Sequence, residues 1–207
     1  MGTQEDLIRP AEAAAPPEHW RYARHLEALA AAAAAAVPRA VPPADSSPPV
    51  LPAPAVGPRT VPAPAGRAAS ASASGPAAEA EAVAAVLRDP DPVMAESAVV
   101  THLDRRAAQL LDAAAFPAWA EAMAGALGDR AFPARRLREW NLLRAIGRGG
   151  PWSAAELTAA SDWCQRTAVR LPASHEALTL LARSARTRRV RNAAALRLRR
   201  SSRTLPA

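Results

Sequence analysis

The stretch "WSAAELTAASDWCQRTAVRL", Trp152 to Leu171, decides how this chain is read. Ser153 followed by Glu156 three residues on is the signature of a capping box, and Trp152 just ahead of it is placed to staple onto Leu157. From that start Leu157, Ala160, Ser161, Cys164, Ala168 and Leu171 return to one side of a single helix within roughly 100° of arc. That is the width of a core-facing stripe, and Pro172 ends it.

The same helical period continues in both directions. Downstream, Ser174 caps a helix carrying Leu178, Leu181 and Ala185. The next segment, "RTRRVRNAAALRLRR" at 186–200, sets Val190, Ala194 and Leu198 in an apolar strip of roughly 80°, with Leu196 left among arginines. Upstream, "GRGG" at 147–150 reads as a helix end and turn, because a phosphate loop would need a preceding strand and a following lysine. Before it, a helix over 134–146 carries Leu137, Trp140, Leu142, Leu143 and Ile146 around most of its circumference, which predicts a central position. Phe116, Trp119, Ala120, Met123 and Leu127 make a stripe closed by Gly128. A further helix opens on Pro92 and carries Val99, Val100, Leu103, Ala107, Leu110 and Leu111. The first of the series spans about 77–87. No segment alternates in the manner of a strand, so the expected fold class is all-α, a stack or irregular bundle of six to seven helices over 77–200.

Ahead of residue 77 the composition changes. The Pro/Ala/Ser-rich stretch 38–76 has the make-up of a disordered linker, able to reach on the order of 100 Å. Before it, 17–37 predicts an isolated amphipathic alanine-rich helix whose candidate docking face is Tyr22, Leu26 and Leu29. An alanine-rich helix of this length gains little stability alone, so it needs a surface of its own domain or of another protein. Residues 1–16 and 201–207 are expected to be flexible ends.

Two segments echo each other. "DPDPVMAESAVV" at 89–100 and "RTRRVRNAAALR" at 186–197 both place an aliphatic residue before a pair of small ones: Met94 before Ser97 and Ala98, Val190 before Ala193 and Ala194. "VRNAAALRL" in particular resembles the helix of HEAT-like repeats, best over 174–200 and loosely over 77–200. That resemblance implies helices stacked closely through small residues, in a protein that binds other proteins. "SDWCQRTAV" at 161–169 is similar to the W-x-x-R-x-A-V helices of the helical-repeat alkylpurine DNA glycosylases. This likeness implies a pocket holding an acidic residue between aromatics, although those enzymes stack more repeats than this chain has room for.

Charge is divided along the chain. All 26 basic side chains are arginine; 1–76 is balanced, 77–132 holds four arginines against nine acids, and 133–207 holds sixteen against four. The C-terminal part therefore calls for an acidic partner or for complementary acids elsewhere in the chain. Arg186, Arg188, Arg189, Arg191, Arg199 and Arg200 are the candidate contacts, to an acidic protein or to phosphate.

Catalytic patterns are missing. No GxGxxG, GxxxxGK[ST], HExxH or GxSxG occurs, and no two of His19, His25, His102 and His175 have i, i+4 metal spacing. His102 and His175 are expected at the surface. Cys164, mid-stripe and the single cysteine, reads as a small buried hydrophobe. Trp119, Trp140 and Trp152 read as core or staple, Trp20 and Trp163 as interface candidates. No window of 18 strongly apolar residues suggests a membrane span, and "MGTQEDLIRP" starts acidic, without the basic n-region expected of a secretory signal. The expectation is a cytoplasmic, non-enzymatic interaction protein without cofactor, metal or small-molecule substrate. Its partner is a protein, with nucleic acid as the alternative.

Overall fold

The computed structural model describes residues 18–36, 67–171 and 173–203. The expected flexible start 1–16, most of the expected linker 38–76, and residues 204–207 lie outside the described residues.

Among the described residues there are nine helices and no strand: α1 (Glu18–Ala35), α2 (Arg67–Val86), α3 (Pro92–Leu110), α4 (Phe116–Leu127), α5 (Ala131–Arg148), α6 (Ala154–Ala159), α7 (Asp162–Arg170), α8 (His175–Ser184) and α9 (Arg188–Arg203). The all-α expectation holds. Helices α3, α5, α7 and α9 pack one on the next in a continuous row, while α2 packs on α4 and α6 on α8 as two further pairs. Consecutive helices such as α2–α3, α4–α5 and α8–α9 also touch across short connections. The core runs through Leu103, Phe116, Trp119, Met123, Leu127, Leu157 and Leu181, each nearly or wholly out of solvent.

Local chemistry explains the element boundaries. Asp91 caps α3 by accepting from the backbone of Val93 and Met94, and Pro92 occupies the first turn, where its missing N–H costs nothing. Helix α5 ends on Gly149, whose φ of 68° is the left-handed conformation that glycine adopts most readily. Leu137, Trp140, Leu143 and Ile146 of α5 are all buried, in keeping with contacts to α3, α4 and α7 on several sides.

Four expectations change. The single helix expected over Ser153–Leu171 is two: α6 ends at Ala159, and Ala160 and Ser161 are extended with ψ of 158° and 157°. Ser161 is a second N-cap, accepting from Cys164 N, while its own N–H donates to Glu139 Oε1 at 2.9 Å. The Glu139 bond from α5 and the local Ser161 cap compete with the helical bonds that a continuous run would make, and the break raises the count over 77–203 to eight. Second, α2 starts at Arg67 rather than about Ala77, with Pro76 inside it, so part of the expected linker is helical. Third, α9 runs on to Arg203 into the expected flexible tail. Fourth, α1 is not isolated.

Helix α1 lies on α2 and α3. Leu29 is fully buried, with Tyr22 and Leu26 packed beside it. Tyr22 Oη hydrogen-bonds Thr101 Oγ1 at 3.0 Å, His25 Nε2 meets Asp89 Oδ2 at 2.8 Å, and Arg21 lies 3.6 Å from Asp89 and 3.8 Å from Asp91. Asp89 is held below the usual carboxylate range, first by the N–H of Asp91 and then by His25. At the far end, a Cβ on Gly75 would sit 2.9 Å from the carbonyl oxygen of Ala36. Glycine there lets the two backbones approach.

Candidate functional site

The arginines divide by what their guanidiniums do. Several cap helix ends, where unpaired carbonyls form the negative pole of the helix dipole. Arg130 donates to Leu87 O beyond α2; Arg144 and Arg148 donate to Leu111, Ala113 and Asp112 carbonyls beyond α3. Arg197 of α9 donates to both Val169 O and Leu171 O at the end of α7, and Arg191 to Ala185 O at the end of α8. In the row α3–α5–α7–α9, arginines of α5 close the end of α3 and an arginine of α9 closes the end of α7. These five side chains are part of the fold.

The predicted contact residues separate accordingly. Arg191 is turned to a carbonyl, whereas Arg186, Arg188, Arg189, Arg199 and Arg200 are exposed along α9 and its approach. Val190 and Ala194 are buried and Leu198 is packed on the core, so the expected apolar strip docks α9, with Leu196 left 43% exposed. Arg166 and Arg170 of α7 come up beside Arg189 across the α7–α9 seam. The three surround an open groove of about 250 Å³ floored by Val169, Val190 and Ala193. Sequence reasoning did not pair α7 with α9, because the two sets of arginines lie about twenty residues apart and only the packing joins them.

The four acids of this part do not balance it. Glu139 is buried and accepts from Ser161 N, and Glu156 closes the capping box with Ser153. Asp162 pairs with Arg166 and accepts from Thr187 Oγ1. Glu176, in the first turn of α8, is exposed.

Two polar clusters went unread in the sequence. In the first, Glu79 is completely buried and accepts from Trp119 Nε1 at 2.8 Å and Arg106 Nε at 3.2 Å, with His102 Nε2 at 2.9 Å. His102, expected at the surface, is 5% exposed. Burial pushes the Glu79 carboxyl up, but the hydrogen bonds from His102 and Trp119 and the Arg106 charge together hold it below its usual range. Every oxygen is satisfied, as a buried carboxylate requires.

In the second, Asp104 accepts from Arg136 Nη1 at 2.9 Å and Trp140 Nε1 at 2.8 Å. The Arg136 guanidinium lies 3.6 Å over the Trp163 ring, and Trp163 meets Trp140 edge-on at 5.4 Å. Burial raises the Asp104 carboxyl above its usual range in spite of those donors. The glycosylase likeness implied an acid between aromatics, and Asp104 bonds one tryptophan, Trp140. However, both its oxygens are committed, and the Trp163 face a base would stack on is covered by Arg136.

Cys164 is fully buried, its thiol pushed up to about 12 by burial and by the Glu139 charge, so it holds no thiolate near neutral pH. Among the described residues no group of three or more His, Cys, Asp or Glu side chains is arranged to hold a metal ion, and no helix is long and apolar enough to cross a membrane. His175 and Trp20 are exposed. Comparison with protein-family models, with curated proteins and with solved structures finds no match. Fold and surface chemistry define the class: an all-α stack of helices with one strongly basic end.

Proposed function

We propose that this chain is a non-enzymatic helical interaction module that binds an acidic partner through the basic end formed by α7 and α9. The continuous packing order α3–α5–α7–α9 supports reading it as a helical-repeat stack, in keeping with the HEAT-like likeness of α9. One observation carries the binding reading: after the capping arginines are set aside, Arg170, Arg186, Arg188, Arg189 and Arg199 remain exposed where the few acids are already engaged or lie elsewhere. Helix α1 plays a different part from the one its sequence suggested. Its apolar face covers the stack's own first hairpin, so it contributes stability rather than a tethered hook.

The test is co-purification from the native host with and without nuclease, beside a variant carrying Arg186→Glu, Arg188→Glu and Arg189→Glu. A partner lost from the variant and kept after nuclease supports an acidic protein, and one lost with both treatments supports nucleic acid. A partner retained equally by the variant sinks the reading.

A further inference from the structure

The α7–α9 seam has a lining that selects among acidic partners. It presents Arg166, Arg170 and Arg189 around a floor of Val169, Val190 and Ala193. Arg166 and Arg170 are four residues apart on one helix, hence on one face and about 6 Å apart, and Arg189 faces them from the neighbouring helix. Arg166 is paired with Asp162 one turn back on α7, whereas Arg170 and Arg189 are exposed and enter no ion pair among the described residues. The one carbonyl of the floor that could accept a hydrogen bond, that of Val169, is taken by Arg197. The C-terminal pole of α7 is thereby closed and does not draw Arg170 back onto itself. The lining therefore offers planar donor forks and apolar carbon, and the one carboxylate nearby, Asp162, is outside the lining and already holds Arg166.

A peptide, even an acidic one, brings a backbone N–H at nearly every residue and would leave those donors facing other donors. A phosphodiester backbone brings acceptors only, and a guanidinium matches two of its oxygens at once. The exposed Arg186 and Arg188 extend the same polarity beyond the seam, which suits a polymer charged at each repeat.

We infer that the α7–α9 seam, through Arg166, Arg170 and Arg189, seats the phosphodiester backbone of a nucleic-acid strand. This rests on the basic-end reading and names the occupant of that end. Contact of this kind carries affinity without sequence preference.

The experiment is fluorescence anisotropy on the full chain at roughly 50 mM salt. The probes are a labelled mixed-sequence oligonucleotide of about 16 nucleotides and a labelled glutamate-rich peptide. Two variants accompany the parent: R170A/R189A in the seam and R88A/R105A, two exposed arginines outside the basic end, each checked for unchanged helical circular dichroism. The expected result is oligonucleotide binding that falls about tenfold or more in the seam variant and less than about threefold in the outer one. Equal losses in the two variants overturn the seam. Binding of the glutamate peptide alone overturns the phosphodiester occupant and leaves the basic-end reading standing, whereas binding of neither probe removes both.

Discussion

Glu79 shows what one residue contributes to this fold. Fully enclosed beneath α3 and α4, it gathers His102, Arg106 and Trp119 onto two oxygens. Glu79→Gln keeps one acceptor oxygen but turns an NH2 toward the remaining donors and removes the charge facing Arg106, and is expected to cost about 3 kcal/mol. The sign of its pH dependence follows from the lowered folded value. Its stabilisation is complete above the ordinary 4.5 and is lost as pH falls through the lower folded value. Urea unfolding of parent and variant should therefore show a gap that is widest at neutral pH and narrows on acidification; a gap of constant size would refute this role. Such clusters are hard to see in sequence, because the partners lie 23, 27 and 40 positions apart and His102 sits off the apolar stripe of its own helix. Arg197 is the same kind of case, indistinguishable in sequence from its exposed neighbour Arg199.

At the scale of elements, stripes and caps were legible and interruptions were not. The buried sets of α4 and α5, the Ser153 capping box, the Ser174 cap and the Val190–Ala194 strip all follow from local pattern. The break at Ala160 and Ser161 does not, since it depends on Glu139 reaching Ser161 from another helix. The docking of α1 was equally hidden, because an amphipathic face does not name the surface it covers. Gly75 marks that contact. Glycine to alanine within a helix ordinarily stabilises by about 1 kcal/mol. Here the new methyl would press on the Ala36 carbonyl at 2.9 Å, so Gly75→Ala is expected to destabilise and to increase protease cleavage within α1. A higher melting temperature with α1 still protected would contradict the close approach.

Across the whole molecule, charge and packing act together. The acidic stretch 77–132 supplies the groups that hold the first half: Asp89 and Asp91 bind α1, Glu79 organises α2 to α4, and Asp104 joins α3 to α5. The arginine-rich remainder closes helix ends with part of its charge and leaves the rest exposed on α7 and α9. Salt dependence separates an exposed charge that binds from one that is only hydrated. The most direct measurement is the affinity of the full chain for a single-stranded oligonucleotide between roughly 50 and 200 mM salt. Arg170, Arg189 and the adjoining Arg188, none of them ion-paired, predict a slope of log affinity against log salt near −2 or steeper, at about 0.7 per phosphate. A slope near zero, or no binding at the lowest salt, would contradict the account.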